Sequence, residues 1–354
     1  MKMKTGITVT LTALVVAVAA VLIYSENKNG EKAAYESNSN SVTGAWHTEV
    51  MEISVSDYHV HVLSPQLIQA WKNAGATFSR RDEYYSNVDT IMNRLGIKLH
   101  DGNFIHLVAM GYLYSTEELG VTENARMLLQ AENDYLAGQK AKYQNNIKAY
   151  FGIDPLAEYA MEEVVRCHRE LGLDGIKLHG NASQIYLTVP EHLAKVRRIF
   201  RYAAENNLPV LLHFDNSHRK FGERDVTILA DSILAQLPPM KLQIAHFGTS
   251  GGFSSTTRNV IDAFVRLFER QHAIIKHDIV FDISGVALDK DGDGVAKLTE
   301  DEFASLSQYV RKLGLERTVF ATDYPLYTSA EYLKVLQTRL KLNEAELQIL
   351  LRQK

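Results

Sequence analysis

Apolar residues along this chain fall into short runs that alternate with longer stretches of helical spacing. The short runs predict strands over residues 53–62, 103–110, 147–153, 175–179, 210–214, 242–247, 279–283 and 319–322. Apolar positions three or four apart predict helices over 122–143, 161–171, 189–206, 227–237, 257–271 and 300–313. Such alternation is typical of a parallel sheet. It predicts one α/β domain, a TIM barrel over residues 51–354, in which residues 65–80 form a helix, a lid or both.

The amino terminus has a different pattern. Lys2 and Lys4 precede a nearly unbroken apolar run over residues 6–24. A membrane-spanning helix needs about 20 apolar residues and a cleaved signal about 7 to 15, so the length favours a transmembrane anchor at 1–24 over a signal peptide. Small residues within the run leave cleavage open. The positive-inside rule then places the rest of the chain outside the cytoplasm, in the periplasm or at the cell surface, and polar residues 25–50 predict a flexible linker.

Composition and charge exclude several classes of protein. Hydrophobic residues make up 46% of the chain and charged residues 23%, as in ordinary globular proteins. The formal net charge of -4 gives no broad positive surface for nucleic acid, so we expect a small-molecule partner. The single cysteine, Cys167, cannot form an intramolecular disulfide or a thiolate cluster. A metal site in this chain must therefore use His, Asp and Glu.

Polar residues stand where several predicted strands end. Catalytic groups of a barrel lie at the carboxyl ends of its strands, and there the sequence places His59, His61, His213, His246 and Asp323. Because side chains alternate along a strand, His59 and His61 point to one face. Any one histidine could be an ordinary core residue, but the set indicates a divalent transition metal, zinc first and manganese or iron as alternatives.

The fourth predicted strand carries two further polar residues, Lys177 and His179. An inward lysine could be carboxylated to bridge two metals, could contact substrate or could pair with a carboxylate. The last two roles together are favoured over the first. Lys177 and His179 are therefore candidate substrate-binding residues.

The ordered set of motifs resembles the amidohydrolase superfamily, in its amidohydrolase-related branch that includes aminocarboxymuconate semialdehyde decarboxylase. The motifs are Asp57-Tyr-His-Val-His61, Glu132-Asn-Asp-Tyr135, Phe151-Gly-Ile-Asp-Pro155, Gly175-Ile-Lys-Leu-His179, Val210-Leu-Leu-His213, Ile244-Ala-His-Phe247 and Ala321-Thr-Asp-Tyr-Pro325. The resemblance implies a distorted TIM barrel with one divalent metal. It implies that the ligands are His59, His61, His213 and Asp323, with His246 close to the substrate and bound water.

Such a site makes hydrolysis the default reaction, since a bound metal lowers the pKa of its water. We expect His246 to orient the water or accept its proton, and Asp323 to hold the metal and accept a proton during turnover. The expected substrate is an amide, ester or lactone. Two alternatives remain: a metal-dependent non-oxidative decarboxylase, as in the same family branch, and a catalytically silent calcium-dependent binding module.

Residues 289–302 match the spacing of an EF-hand calcium loop. Carboxylates occupy positions one, three and five, glycine follows at six and glutamate stands at twelve, and a shifted register offers a second glutamate. The candidate ligands are Asp289, Asp291, Asp293, the Val295 carbonyl and either Glu300 or Glu302. We expect a structural calcium between the seventh strand and the next helix, with an acidic loop that binds no metal as the alternative.

Overall fold

The computed structural model describes residues 55–96, 102–117, 119, 124–143, 145–292 and 294–352. The predicted anchor at 1–24 and the predicted linker at 25–50 lie outside the described residues. Within the described residues, no helix is both long enough and apolar enough to cross a membrane.

Eight parallel strands form one sheet in the described part of the chain, and each strand pairs with the next one in sequence. Their bounds are β1 Asp57–Val62, β2 Ile105–Ala109, β3 Ile147–Gly152, β4 Gly175–His179, β5 Val210–His213, β6 Lys241–Ile244, β7 Asp278–Asp282 and β8 Thr318–Val319. The Tyr58 N–H donates to the Phe320 carbonyl at 3.0 Å, and the His61 N–H donates to the Tyr324 carbonyl at 3.1 Å. The chain around β8 therefore lies beside β1, and the predicted α/β fold with a TIM-like curled sheet is confirmed.

Helices follow the strands and cover the outer face of the sheet. Their bounds are α1 Pro65–Asn73, α2 Glu83–Ser86, α3 Val88–Leu95, α4 Ala125–Lys140, α5 Ala160–Arg169, α6 Pro190–Glu205, α7 Glu223–Ile228, α8 Ser255–Glu269, α9 Glu300–Leu313, α10 Ser329–Thr338 and α11 Glu344–Leu351. Residues 65–80, for which the sequence predicts a helix, a lid or both, begin with the helix α1, whose first turn is capped by Ser64. The predicted helix 227–237 begins earlier, as α7, and continues as the irregular turns Leu229–Ile233 and Leu234–Gln236.

The predicted strand 242–247 is too long. β6 ends at Ile244, and Ala245–Gly248 form a tight turn. His246 and Phe247 have left-handed backbone angles, with φ of 51° and 53°. Such angles are uncommon for residues other than glycine and end the extended pairing of a strand. The turn brings His246 back over the carboxyl end of the barrel.

β1 contains a bulge. Asp57 pairs with Ile105 and Val60 with Leu107, so three steps along β1 match two along β2. Strict alternation would send Tyr58 and His59 to opposite faces. Instead, the Tyr58 ring lies 4.7 Å from the His106 ring, which lines the interior, and the His59 ring lies 5.1 Å from that of His246 at the metal site, both measured between ring centroids. The bulge thus lets two consecutive side chains face the interior.

Candidate metal centre

Three of the four predicted metal ligands meet at the carboxyl end of the barrel. Each of His59, His61 and Asp323 has one possible ligand atom here, and these three atoms lie within 4.8 Å of one another. The Nε2 atom of His61 is 3.0 Å from Oδ1 of Asp323, and Nε2 of His59 is 3.8 Å from the same oxygen. All three residues are buried. The H-x-H spacing of β1 and an aspartate four residues after β8 therefore build one site.

The chemistry of these three groups fits a divalent metal. Oδ1 of Asp323 is buried and faces the Nε2 atoms of His61 and His59, at 3.0 and 3.8 Å, so one metal ion could be shared by all three groups. Burial lowers the pKa of both His59 and His61, so both rings are neutral, as metal coordination requires. Two neutral imidazoles and a carboxylate are a common donor set for zinc and related metals.

Asp323 remains ionised in this buried place. Burial alone would raise its pKa, but polar contacts with His246, His59 and His61, including a hydrogen bond from His61, hold the pKa below its usual value. Its backbone is also left-handed, with φ of 52°. The preceding residue fixes it there, since Thr322 donates from its N–H and its hydroxyl to the Asp57 carboxylate at 3.1 and 2.6 Å. The carboxylate is therefore aimed at the histidines by strand β1 itself.

A residue that the sequence analysis missed orients His59. Asp282, the last residue of β7, accepts from Nδ1 of His59 at 3.2 Å and from the side-chain amide of Gln243 at 2.7 Å. It also accepts from the backbone N–H of His246 at 3.0 Å. The bond to Nδ1 leaves Nε2 of His59 with the lone pair that a metal would use. A carboxylate within a buried apolar strand was the signal in the sequence that could have identified Asp282.

The same reasoning gives the tautomer of His246. Its Nδ1 lies 2.8 Å from the backbone carbonyl of Ser284, and a carbonyl oxygen can only accept, so Nδ1 carries the hydrogen. In the neutral ring the lone pair is then on Nε2, which lies 4.0 Å from Oδ2 of Asp323. Gly285 has φ of 65°, and a Cβ there would lie 3.2 Å from Nδ1 of His246. The bare glycine leaves room for this ring.

Lys177 lies inside the same cluster. Its Nζ is 3.0 Å from Nε2 of His59, and the side chain is 1% exposed. Burial lowers its pKa to about 8, while the charges of Asp323 and Asp282 oppose that shift. A metal on His59 would compete with this hydrogen bond for the same lone pair. The structure thus places Lys177 beside the proposed metal ligands, and its contact with substrate stays a prediction.

His213 and His179 form a stacked pair next to this cluster. Their ring centroids are 3.8 Å apart. The Nε2 of His213 lies 3.2 Å from the Ser250 hydroxyl, and its ring lies 5.2 Å from that of His246. The structure thus places His213 at the site but outside the tight group of His59, His61 and Asp323. Its role as the fourth ligand stays a prediction, and so does the substrate contact of His179.

The predicted calcium loop is a compact turn. The N–H of Val295 donates to the Gly292 carbonyl at 2.8 Å, and the Val295 carbonyl accepts from the Gly292 N–H at 3.0 Å. One oxygen of Asp289 accepts from the Tyr327 hydroxyl at 2.8 Å, and one of Asp291 accepts from the Lys297 N–H at 2.9 Å. Asp293 lies outside the described residues.

Both candidate terminal ligands of that loop already have partners. Glu302 accepts from the N–H of Thr299 at 2.8 Å and closes a capping box at the start of α9. Glu300 pairs with Arg339 at 2.6 Å. The described residues of this loop form no cluster that could hold a metal. The calcium site therefore stays a prediction.

Comparison with known proteins places the chain in a family. The sequence profile of a family described as amidohydrolase matches residues 57–352. No curated protein sequence matches.

Solved structures with a similar fold include two decarboxylases and a hydrolase. A 5-carboxyvanillate decarboxylase from Novosphingobium aromaticivorans with bound manganese has a TM-score of 0.56 at 16% identity, covering 84% of this chain and 94% of that one. A 2,6-dihydroxybenzoate decarboxylase from Rhizobium has a TM-score of 0.52 at 17% identity, over 84% and 96%. A probable 2-pyrone-4,6-dicarboxylic acid hydrolase from Acinetobacter baumannii has a TM-score of 0.51 at 16% identity, over 85% and 97%. At these identities the likeness supports the fold alone.

Proposed function

Because this chain belongs to the amidohydrolase family, we propose that it is a metal-dependent hydrolase of a small amide, ester or lactone that carries a carboxylate. The observation that carries this proposal is the tautomer of His246. The Ser284 carbonyl holds the hydrogen on Nδ1, so the neutral ring presents the Nε2 lone pair towards Asp323. An imidazole in that state can take a proton from an attacking water.

The metal ligands in this proposal are His59, His61 and Asp323, with His213 as the predicted fourth. A divalent metal would supply Lewis-acid polarisation of the scissile carbonyl and a lowered pKa for water. Asp323 would bind the metal as a carboxylate, because its pKa lies below the usual value, and its role as a proton acceptor during turnover stays a prediction. His246 would accept the proton of the attacking water and then give it to the departing amine or alcohol, so the bond to that group can break.

Lys177 and His179 would bind the carboxylate of the substrate. Lys177 is buried and cationic next to the metal ligands, and an ammonium in a dry site binds a carboxylate strongly. The solved hydrolase with this fold is named for a 2-pyrone that bears two carboxylates. A cyclic ester with acidic substituents is therefore the first substrate class to test.

Decarboxylation is the second candidate, and the same lysine favours it. A substrate carboxylate held by Lys177 beside the metal ligands could leave as carbon dioxide, while protonated His246 would give the ring carbon its proton. Two solved structures with this fold are decarboxylases of substituted benzoates. A silent binding module has no comparable support, because the chain belongs to a family of enzymes.

The two reactions release different products. Metal-loaded protein would be incubated with 2-pyrone-4,6-dicarboxylate, and separately with 5-carboxyvanillate and 2,6-dihydroxybenzoate. We expect loss of the pyrone absorbance without carbon dioxide release. Carbon dioxide from either benzoate, with the pyrone intact, would establish decarboxylation instead.

The role of His246 has its own test. His246→Asn should lower turnover by about 10²- to 10⁴-fold, because it removes the proton acceptor. Metal content should stay the same, since this residue is not among the proposed ligands. His168→Asn is the matched control, because His168 lies outside the site and bonds to Tyr202. Unchanged turnover of His246→Asn would remove this residue from the mechanism.

A further inference from the structure

A cavity of about 330 Å³ opens at the opposite, amino-terminal end of the barrel. Its lining comes from residues at or just before the starts of strands, including Phe104, Lys148 and Lys241. A layer of buried apolar side chains that contains Val108 and Leu211 lies between this cavity and the metal site. In many TIM barrels this end is filled by side chains. Here it retains a volume at the lower end of the range for ligand pockets, about 300 to 1,000 Å³.

Aromatic rings form one wall of the cavity. The rings of Phe104 and His106 are stacked, at 5.2 Å between centroids and 20° between planes. Tyr58 packs edge-on against both rings, at 5.2 Å and 4.7 Å. Tyr150 lies 4.5 Å from His106 on the other side. A flat aromatic ligand would find stacking and edge contacts here.

His106 offers a hydrogen-bond acceptor in this wall. The side-chain amide nitrogen of Gln243 donates to Asp282 at 2.7 Å and to the Tyr58 carbonyl at 2.8 Å. Both partners only accept, so the amide oxygen of Gln243 must face His106, whose Nδ1 lies at 3.0 Å. Nδ1 of His106 therefore carries the hydrogen.

The other nitrogen of that ring is left for a ligand. Burial lowers the pKa of His106 to about 3, so the ring is neutral and Nε2 has a lone pair. The residue is 8% exposed, lines the cavity, and no described residue bonds to Nε2. This nitrogen faces the cavity, so a ligand with an O–H or N–H group could donate to it in place of water.

The rim of the cavity carries positive charge. Lys148 and Lys241 line it, are exposed, and make no ion pair with the described residues. Of the two carboxylates in the lining, Asp174 already pairs with Lys140 at 2.8 Å and accepts from the Ala149 N–H at 2.7 Å. Asp278 is the other. The lining therefore has two lysines without an ion pair to the described residues and only one carboxylate, Asp278, that is not already paired with a lysine. This excess of positive charge favours an anionic ligand.

We propose that this cavity is a second ligand site, distinct from the metal centre, for a small aromatic carboxylate that carries a hydrogen-bond donor. The ring lies against Phe104, Tyr58 and Tyr150. The donor reaches Nε2 of His106, and the carboxylate reaches Lys148 and Lys241. The proposal does not depend on which reaction the metal site performs.

The first experiment uses 4-hydroxybenzoate as the probe, with benzoate as the matched ligand that lacks the donor. Crystals of the metal-loaded protein soaked in 4-hydroxybenzoate should show the ring in this cavity, and calorimetry should give a dissociation constant in or below the low-millimolar range. Benzoate should bind roughly five-fold more weakly, because it has no hydroxyl to donate a hydrogen bond to Nε2 of His106. Probe density at the metal end alone, or no binding, would overturn the proposal.

Variants locate the binding independently. Replacing both rim lysines, Lys148→Gln with Lys241→Gln, should weaken 4-hydroxybenzoate binding by at least about ten-fold. Lys334→Gln with Lys341→Gln removes the same charge from exposed positions elsewhere and should leave binding unchanged. His106→Phe keeps an aromatic ring and should abolish the preference for 4-hydroxybenzoate over benzoate. Equal affinity in the rim variant and its control would refute the site even if the His106 variant failed to fold.

Discussion

Asp282 holds three groups of the metal centre at once: the ring of His59, the amide of Gln243 and the backbone of His246. Such contacts fix the orientation of a metal ligand without touching the metal. We expect Asp282→Asn to weaken metal affinity by about 10- to 100-fold, because an amide can no longer guarantee the hydrogen on Nδ1 of His59. Competition with a chelator, followed by elemental analysis, measures the effect.

The control for that variant is Asp301→Asn, an equally small change at an exposed position of α9. It should leave metal affinity unchanged. If Asp282→Asn binds metal as tightly as the natural protein, then His59 is not oriented by this carboxylate.

Glu132 is a buried carboxylate and makes stability depend on pH. Burial raises its pKa from 4.5 to about 7, although the bond from the Ser64 N–H at 2.8 Å opposes that shift. Between pH 4.5 and about pH 7, Glu132 therefore keeps its proton in the folded state and loses it in the unfolded state. The free energy of unfolding should therefore fall as pH rises through this window, by at most about 1.4 kcal/mol per pH unit from this group.

Glu132→Gln tests this directly, because glutamine does not ionise. Urea unfolding from pH 5 to 8 should show a smaller loss of stability with pH in the variant than in the natural protein. The exposed Glu205→Gln serves as the comparison and should retain the original slope. Parallel curves for the Glu132 variant and the natural protein would show that Glu132 is ionised throughout this range.

At the scale of elements, the sequence predicted strands better than turns. β4 and α9 have the predicted bounds, 175–179 and 300–313, because apolar spacing alone decides them. The turn after β6 could not be predicted, since the left-handed angles of His246 depend on contacts with Asp282, the last residue of β7, and with Ser284 just after it. For the same reason the sequence indicated His246 as a site residue but could not show that its Nε2 atom faces Asp323.

The loop before α9 allows two roles for its acidic residues. The capping box of Thr299 and Glu302 stabilises the helix by about 1 kcal/mol on its own. Our calcium prediction adds a second role for Asp289 and Asp291. If it holds, millimolar calcium should raise the melting temperature, and Asp289→Ala, which removes the ligand at position one, should remove that increase.

Thr299→Ala provides the contrasting variant. It should lower the melting temperature but keep the calcium response, because it removes the cap and no predicted ligand. If calorimetry at millimolar calcium detects no heat of binding, the calcium prediction is wrong and the loop serves only to cap α9.

At the scale of the whole molecule, the order of eight strands follows from the alternation in the sequence, and with it the common end at which His59, His61 and Asp323 meet. The cavity at the other end could not be predicted in this way. Its lining residues stand near the starts of strands, where charged and aromatic residues have no distinctive spacing. Only the paired bonds of Gln243 show which atom of His106 remains available.

The location of the chain is a separate proposal. We propose that residues 1–24 anchor the protein in a membrane, with the barrel on the extracytoplasmic side, because the apolar run follows two lysines. The full chain should sediment with membranes and resist alkaline extraction. Protease added to intact cells or spheroplasts should reach the barrel. Recovery of the full chain in the cytoplasmic fraction would contradict the proposal.

The bulge in β1 makes both ends of the barrel depend on one short strand. Tyr58 contributes to the wall of the cavity at the amino-terminal end of the barrel, and the next residue, His59, is a proposed metal ligand at the other end. Both point inward only because β1 has one residue more than β2 over this stretch. Loss of a single residue here would turn one of the two side chains outward. The two ends can therefore diverge in evolution by substitution and by changes in loop length, but β1 cannot gain or lose a residue for the benefit of one end alone.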